Sequence, residues 1–552
     1  GLLVSDKDKV QRTVLVVGVC ADGSLTGGDV AAVLRKAVAA GGAMPQGGEY
    51  DSAVSSAVPL GSGEHAGCTV VSLNAPKLRS DDEAYVRELN AALPPAVRVV
   101  AAGSALPEFN ASNRCDKLVY EVMVPLPLLL EDVGDLNRAF QSTRFSRKRI
   151  AETWNVETSQ DDVASESSRQ LLFTPGSDGS FDLEDGCFLE WTQQRDQFIA
   201  PHHARVALQC ADGSGWLVSK KDIFATNAVA PAPTETDQTR QYDVNWMHPF
   251  AENYRWLRID AESLKIHGDV ESAQLLREIA AGRRLAVSAV GLWFERPAGW
   301  TGPEFTLGHY RVEVPAVGGP LEARSRTRLE LNTALKRSLN VFQGSHSFHN
   351  FTLGSKSSFA AAASQTVWKA TCAGNLLFAP RQSDNDADNN SVGGDGTGGL
   401  CGNGGGQEFV RLRFEGRHFL PGQAAAMASL AVLSVRLGEQ VSPELLAASL
   451  NPSCILSGLQ PLPSSLVYIA EAHYVKYETT TQTVIWPRDR DIPHGFNSAR
   501  HELNVRTERA IVQGHIASQE LGANSAGKMW QAKVADAAVE LCQQYTLYQQ
   551  TQ

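Results

Sequence analysis

Over its first 126 residues the chain alternates strand-type runs with amphipathic helices, and that order restricts the folds open to it. "RTVLVVGVCADGS" (12–24) reads as a buried strand ending in a turn. "GGDVAAVLRKAVAAGG" (27–42) puts Val30, Val33, Leu34 and Val38 on one helical face, closed by Gly41 and Gly42. "CTVVSL" (68–73) is a second strand. "DDEAYVRELNAAL" (81–93) is a helix with acidic residues in its first turn and Pro94 beyond its end. "VRVVAAGSAL" (97–106) and "KLVYEVMVPL" (117–126) are further strands. Strand, helix, strand, helix, strand, strand predicts an α+β unit.

With 552 residues there is room for two or three domains and a sizeable core. No apolar run reaches the ~18–20 residues that span a bilayer, and "LAVSAVGLWF" (285–294) has only strand length. A net charge of −11 argues against a free nucleic-acid-binding domain but leaves RNA open, because charge can be segregated. Cations cluster at 144–149 ("RFSRKR") and 324–337 ("RSRTRLELNTALKR"); the bland alternative for either cluster is a solvated helix face. The nine cysteines form no CxxC pair, so neither a zinc site nor a redox motif is signalled, and their wide spacing suits a reducing compartment. A chain that begins at Gly1 leaves room for a removed targeting peptide.

Further along, 151–320 reads as an insertion with its own β-rich piece. The run 382–406, "QSDNDADNNSVGGDGTGGLCGNGGG", is low in complexity and predicts a disordered loop; its Asp residues lack the spacing of a calcium loop. "EFVRLRFEGRHFL" (408–420) alternates like a strand, "GQAAAMASLAVLSVRLG" (422–438) is an apolar helix, and "SSLVYIAEAHYVKY" (464–477) is a closing strand. The tail from about 505 to 545 reads as two helices around "GANSAG".

Four segments, in order, resemble the eukaryotic TruA-type tRNA pseudouridine synthases. They are "LNAALPPAVRVVAAGSALPEFNASNRCDKLVYEVMVPLP" (89–127), "FQGSHSFHNFT" (342–352), "FEGRHFLPGQAAAM" (414–427) and "PLPSSLVYIAEAHYVKY" (461–477). The second is the most specific, and the insertion at 151–320 is not covered. The resemblance implies a pseudouridine synthase (TruA-like) α+β fold. Two α/β halves would share a central mixed, mostly antiparallel sheet with a cleft, with a β-rich insertion and a helical C-terminal tail added. Residues 1–150 would form the N-terminal half, 151–320 the insertion, 321–485 the C-terminal half and 486–552 the helical extension. In that family a carboxylate attacks or deprotonates the ribose of a flipped uridine, an Arg holds the carboxylate ionised, and a Tyr packs on the base.

Carried across by position, the aspartate's place falls on Gly61, fixed by His65-Ala66 and the strand "TVVSL" without a gap. Ala425 takes the place of the Arg that pairs with the aspartate, Leu118 that of a second Arg, and Tyr120 is retained. These losses are consistent with one another: an Arg left unpaired in a dry pocket costs several kcal/mol, and Ala removes that cost. Glu64 and Asp51 are the nearby acids that a displaced active site would use. His346 and His349 read as backbone-bonding histidines beside core Phe348 and Phe351, and Trp154, Trp191 and Trp216 as packing residues.

The resemblance therefore implies a catalytically inactive relative without cofactor or metal. Its expected role is RNA-binding, structural or assembly work in a ribonucleoprotein, with the mitochondrial ribosome and its rRNA as the preferred setting. The expected RNA contacts are Arg144, Arg147, Lys148, Arg149, Arg324, Arg326, Arg328, Lys336 and Arg337. Expected partners are structured RNA (rRNA or tRNA) and ribosomal or assembly-factor proteins, with a homo- or heterodimer open and no membrane. The expected compartment is the mitochondrial matrix, otherwise cytoplasm or nucleus. The rival readings are an active uridine isomerase with a rearranged site and a protein-only scaffold.

Overall fold

The computed structural model describes residues 10–20, 27–40, 54–58, 65–76, 82–129, 156–157, 169–175, 181–183, 189–194, 199–200, 205–220, 228–229, 239–247, 249–250, 254–260, 265–295, 306–307, 310–313, 320–353, 363–380, 407–436, 443–456, 459–481, 498–520, 526–531, 533, 541 and 543–544. The chain divides into two units: 1–131, 331–373 and 409–552 form the first, and 132–330 with 374–408 the second. Both are mixtures of strand and helix.

The first unit begins as the sequence pattern leads one to expect: β1 (Val10–Val19), α1 (Gly27–Ala40), β3 (His65–Pro76), α2 (Asp82–Ala92), β4 (Val97–Ala105) and β5 (Lys117–Pro125), with a two-residue β2 (Ser55–Ser56) before β3. Later come α3 (Pro320–Asn340, first-unit from Leu331), β6 (Gly344–Ser347), β7 (Ser364–Pro380, first-unit to Ala373), β8 (Gln407–Gly416, first-unit from Phe409), α4 (Gln423–Arg436), β9 (Val467–His473) and α5 (Ser498–Glu520). The strands order as β7, β8, β5, β9, β3, β1, β4, with β6 on β7 and β2 on β3. β1 is antiparallel to β3 and β4, and β5 is antiparallel to β8 and β9. β9 meets β3 in parallel, through Tyr468 opposite His65 and Ile469 opposite Ala66. The sheet is thus mixed and mostly antiparallel.

Burial explains the patterns. On β8, Val410, Leu412, Phe414 and Gly416 face inward while Arg411, Arg413 and Glu415 are half-buried, the period of two seen in the sequence. α4 is buried from Gln423 through Ser434, as its all-round apolar sequence requires. The segment 464–477 departs from expectation: β9 stops at His473 and Val475–Thr481 turns helical. The Asp116 carboxylate accepts from Lys476 N at 2.7 Å, and Thr479, Thr480 and Thr481 donate their hydroxyls to carbonyls four residues back. These side chains supply the partners that a helix start and a polar helix face need.

In the second unit, which includes the 151–320 segment, antiparallel strands order as Lys265–Glu271, Tyr254–Asp260, Gly215–Lys220, Arg205–Cys210, Ala286–Glu295 and Arg169–Pro175. Trp256 is fully buried, edge-on to Trp216 and stacked on Phe250. The loop expected at 382–406 lies outside the described residues. Among the described residues, no helix is long and apolar enough to cross a membrane.

α5 is packed on β1, β3, β4 and β5 of the first unit through buried Val512, Ile516 and Ala517. Its Glu508 lies so close over Gly18 that a Cβ there would collide with the Glu508 side chain. Burial pushes the Glu508 carboxyl up to about 7, only partly offset by Arg98. At the same interface His65, fully buried and edge-on to His515 at 5.5 Å, is pushed down to about 4 by burial and by His515. The two shifts act oppositely. Glu508 favours the folded state below pH 4.5, and that contribution is lost as pH rises through 7. His65 favours it above pH 6.5, and that contribution is lost as pH falls through 4. Each amounts to about 3 kcal/mol. Between pH 4.5 and 6.5 they offset each other. Denaturant titrations of Glu508→Gln from pH 4.5 to 8.5 are expected to show a gain in stability over the parent at pH 8 and a steady loss from pH 6.5 downward where the parent is flat. Gly18→Ala is expected to cost about 1–3 kcal/mol, and Glu508→Ala in the same chain to recover most of it.

Candidate functional site

Of the four segments singled out by sequence, the first, third and fourth meet at β5, and the second packs on α4 of the third. The first and fourth join where Asn110 caps the turn Ala111–Arg114, accepting from Ser112 N and Asn113 N at 3.0 Å. There Tyr474 Oη donates to Ala111 O at 2.9 Å, Asp116 N to His473 O at 3.0 Å, and the Phe109 ring packs on Tyr474 and Tyr477. The second and third meet where Leu353, one residue beyond the second, donates its N–H to Pro421 O at 3.1 Å. The first and third meet where Tyr120 pairs with Phe414 across the sheet and its ring stands edge-on to Phe419 at 5.1 Å. Third and fourth are joined by Leu462 N donating to Ala425 O.

β5 presents a different chemistry on each face. Toward α4 it carries Leu118 and Tyr120, 4% and 8% exposed. Their cross-strand neighbours are Gly416 and Phe414 on β8, and Ala472 and Ile469 on β9. Phe419 lies against Gly416, where a Cβ would sit 3.1 Å from its ring edge and 2.9 Å from Thr366 O, so a side chain there would displace its neighbours. Ala424, Ala425 and Ala426 are buried. Leu118, Tyr120 and Ala425 thus sit on packed elements of one unit. Gly61, with Glu64 and Asp51, lies outside the described residues. Leu118 and Ala425 have side chains that can neither ionise nor shuttle a proton, and Tyr120 is covered by a phenylalanine.

The opposite face of β5 holds a buried ionic network that sequence reasoning missed. Glu121, 1% exposed, lies opposite Arg413 on β8 and Tyr468 on β9. Its carboxylate accepts from Arg413 at 3.0 Å and from the Tyr468 hydroxyl, with Arg411 at 3.7 Å. Gln513 of α5 donates to Tyr468 Oη. Glu471 accepts from Arg413 at 3.1 Å and from Arg509 of α5 at 3.0 Å, and pairs with His473 at 2.8 Å. Arg413 also bonds Glu415, which Lys117 reaches at 3.3 Å. Burial would raise the Glu121 pKa, but Arg411, Arg509 and Arg413 outweigh it and hold the carboxyl at about 2. Glu471 is likewise held well below the usual range, burial being outweighed by His473, Arg509 and Arg413. The alternation "RLRFE" signals one charged strand face; its partners, remote in sequence, leave no local signal.

The predicted histidines are structural. His346 Nε2 is 2.8 Å from Gln343 O, His349 Nε2 is 2.8 Å from Cys454 O, and Phe348 and Phe351 are fully buried. Trp216 packs in the second unit; Trp154 and the Trp191 side chain lie outside the described residues.

Of the expected RNA contacts, Arg144, Arg147, Lys148 and Arg149 lie outside the described residues, as do the side chains of Arg324 and Arg326. Arg328 is a correction. It is 2% exposed and ion-paired with Glu408, which also accepts from Asn375 at 2.8 Å, so its guanidinium is committed inside the protein. Lys336 and Arg337 are exposed on α3. Among the described residues, no group of His, Cys, Asp and Glu is placed to hold a metal ion. No family model and no curated protein matches the chain.

Removing one partner from a buried ionic network strands the others. Glu121→Ala and Arg413→Ala are each expected to lower the stability of the chain by about 3–5 kcal/mol, read as a shift of the urea midpoint. Leu118→Ala should cost about 2–5 kcal/mol.

Proposed function

We propose that this chain is a catalytically inactive relative of the TruA-type pseudouridine synthases, serving as an RNA-binding or assembly component of a ribonucleoprotein. The observation that carries this reading is that three of the four family-like segments meet at β5 and the second packs on α4 beside them, with Leu118 and Ala425 at the places matched to the family's arginines. Segments far apart in sequence that resemble one family and also pack together are better explained by a shared fold than by coincidence. A mixed, mostly antiparallel sheet with α4 packed on the Tyr120 face agrees with the TruA-like fold. The apolar character of that face argues that the chemistry is gone, because charge stabilisation and proton transfer both need polar groups at the reacting atoms. Function then belongs to the surface, and the mitochondrial ribosome, with its rRNA, is the setting we favour.

Incubated with total RNA, the purified chain is expected to form no pseudouridine above background. It should nonetheless be recovered crosslinked to RNA from ultraviolet-irradiated cells. Robust isomerisation, abolished by Glu64→Gln or Asp51→Asn, would overturn the first half in favour of a rearranged active site. Recovery of protein partners without RNA would overturn the second.

A further inference from the structure

From Leu331 to Ser383 the sequence contains no Asp or Glu, although the chain holds 61 acidic residues in 552. The described part of this stretch includes the end of α3, β6 and the first-unit part of β7. Trp368, on β7, is 47% exposed. Thr366, on the same face two residues earlier, shares a hydrogen bond with Ser345 at 2.7 Å. A Cβ on Gly416 would lie 2.9 Å from Thr366 O, so the end of β8 runs beside this point, and exposed Arg417 follows it. Trp368 lies two strand residues from Thr366, about 7 Å along β7, and Arg417 follows directly on the end of β8.

α3 flanks β7 farther along. Asn332 accepts from Cys372 Sγ at 3.4 Å; Asn340 accepts from Gln343 Nε2 at 2.7 Å, and the same Nε2 reaches Ala370 O at 3.4 Å. Asn332, Lys336 and Asn340 are spaced by four, so they form one stripe of the helix. Asn332 is tied to β7 directly and Asn340 through Gln343, and Lys336 emerges between them, exposed, with Arg337 beside it. Among the described residues, Lys336, Arg337 and Arg417 enter no ion pair.

We infer that Trp368 is the base-stacking anchor of a single-stranded RNA track, with Lys336 and Arg337 holding phosphate on one side of it and Arg417 on the other. An exposed indole offers any base a stacking surface, worth about 1–3 kcal/mol per base. Cations without carboxylate partners are free to neutralise a backbone, and a stretch without acids does not repel one. A protein-docking patch would present several apolar anchors in a desolvated centre, whereas on β7, among the described residues, Trp368 is the exposed ring and stands with hydroxyls and cations. The inference rests on the RNA-binding reading above and names a surface for it.

The test uses the full chain and a labelled short oligouridylate, with duplex RNA of equal length as competitor. Trp368→Ala should weaken single-strand binding about tenfold, and Trp368→Phe should retain most of it. Lys336→Ala, Arg337→Ala and Arg417→Ala should each reduce the slope of log K against log salt by about 0.7. If the parent binds RNA and Trp368→Ala binds equally well, this inference falls while the RNA-binding reading stands; a preference for duplex has the same consequence. If the parent binds neither RNA, both fall. Release of a co-purifying protein by Trp368→Ala, with RNA binding intact, would make the surface a protein-docking site and overturn the inference.

Discussion

A carboxylate in the middle of a sheet is tolerable only if cations reach it, and Glu121 is the point on which the first unit turns. No neighbour in sequence can serve it. Arg413 and Tyr468 stand opposite it on the two adjacent strands, and the positive potential of Arg509 comes from a helix near the end of the chain. A buried ionic network contributes little net stability against an apolar equivalent, but it penalises every arrangement that leaves a member alone. Here that penalty sets the register of β8 and β9 on β5, because sliding either strand by one residue would turn its partner to the other face.

The other side of β5 then follows from the alternation of the pleat. With charge confined behind the sheet, the Leu118 and Tyr120 side is free to be apolar, and α4 closes on it through a run of alanines. Tyr120 shows how context decides a residue's use. In an open pocket a tyrosine can receive a planar ligand; under Phe419 it is a piece of core. The same applies at Arg328, read from sequence as one of a row of surface cations, which Glu408 and burial make a fastening of the second unit.

What was legible in the sequence was what short-range pattern encodes. The first six elements, the alternation on β8, the all-round apolar α4 and the packing of Phe348 and Phe351 all follow from periodicity. β2 is two residues long and carries no period, and it was not anticipated. The helical turn after His473 reads as strand in the sequence because Val475 and Tyr477 favour strands; what overrides them is the carboxylate of Asp116, remote in sequence. The ionic network was illegible for the same reason. "YE" and "RLRFE" each announce charge near a strand, but nothing local says that Glu121, Glu471 and Arg509 share one buried space. The Tyr120 neighbourhood could be located from motif order, whereas its closure by Phe419 depends on Gly416, whose missing side chain gives no positive signal.

The bond between Glu121 and Tyr468 spans 347 positions. On a ribosome adding roughly 5–20 residues each second, β5 is made on the order of twenty seconds to a minute before its partners exist. Through that interval the strand carries an unneutralised acid on one side and bare apolar surface on the other, with both hydrogen-bonding edges open. The strands around Trp216 and Trp256 need no such wait, since all of them come from one contiguous stretch. The nascent chain can therefore complete the strands around Trp216 and Trp256 before β5 meets its partners.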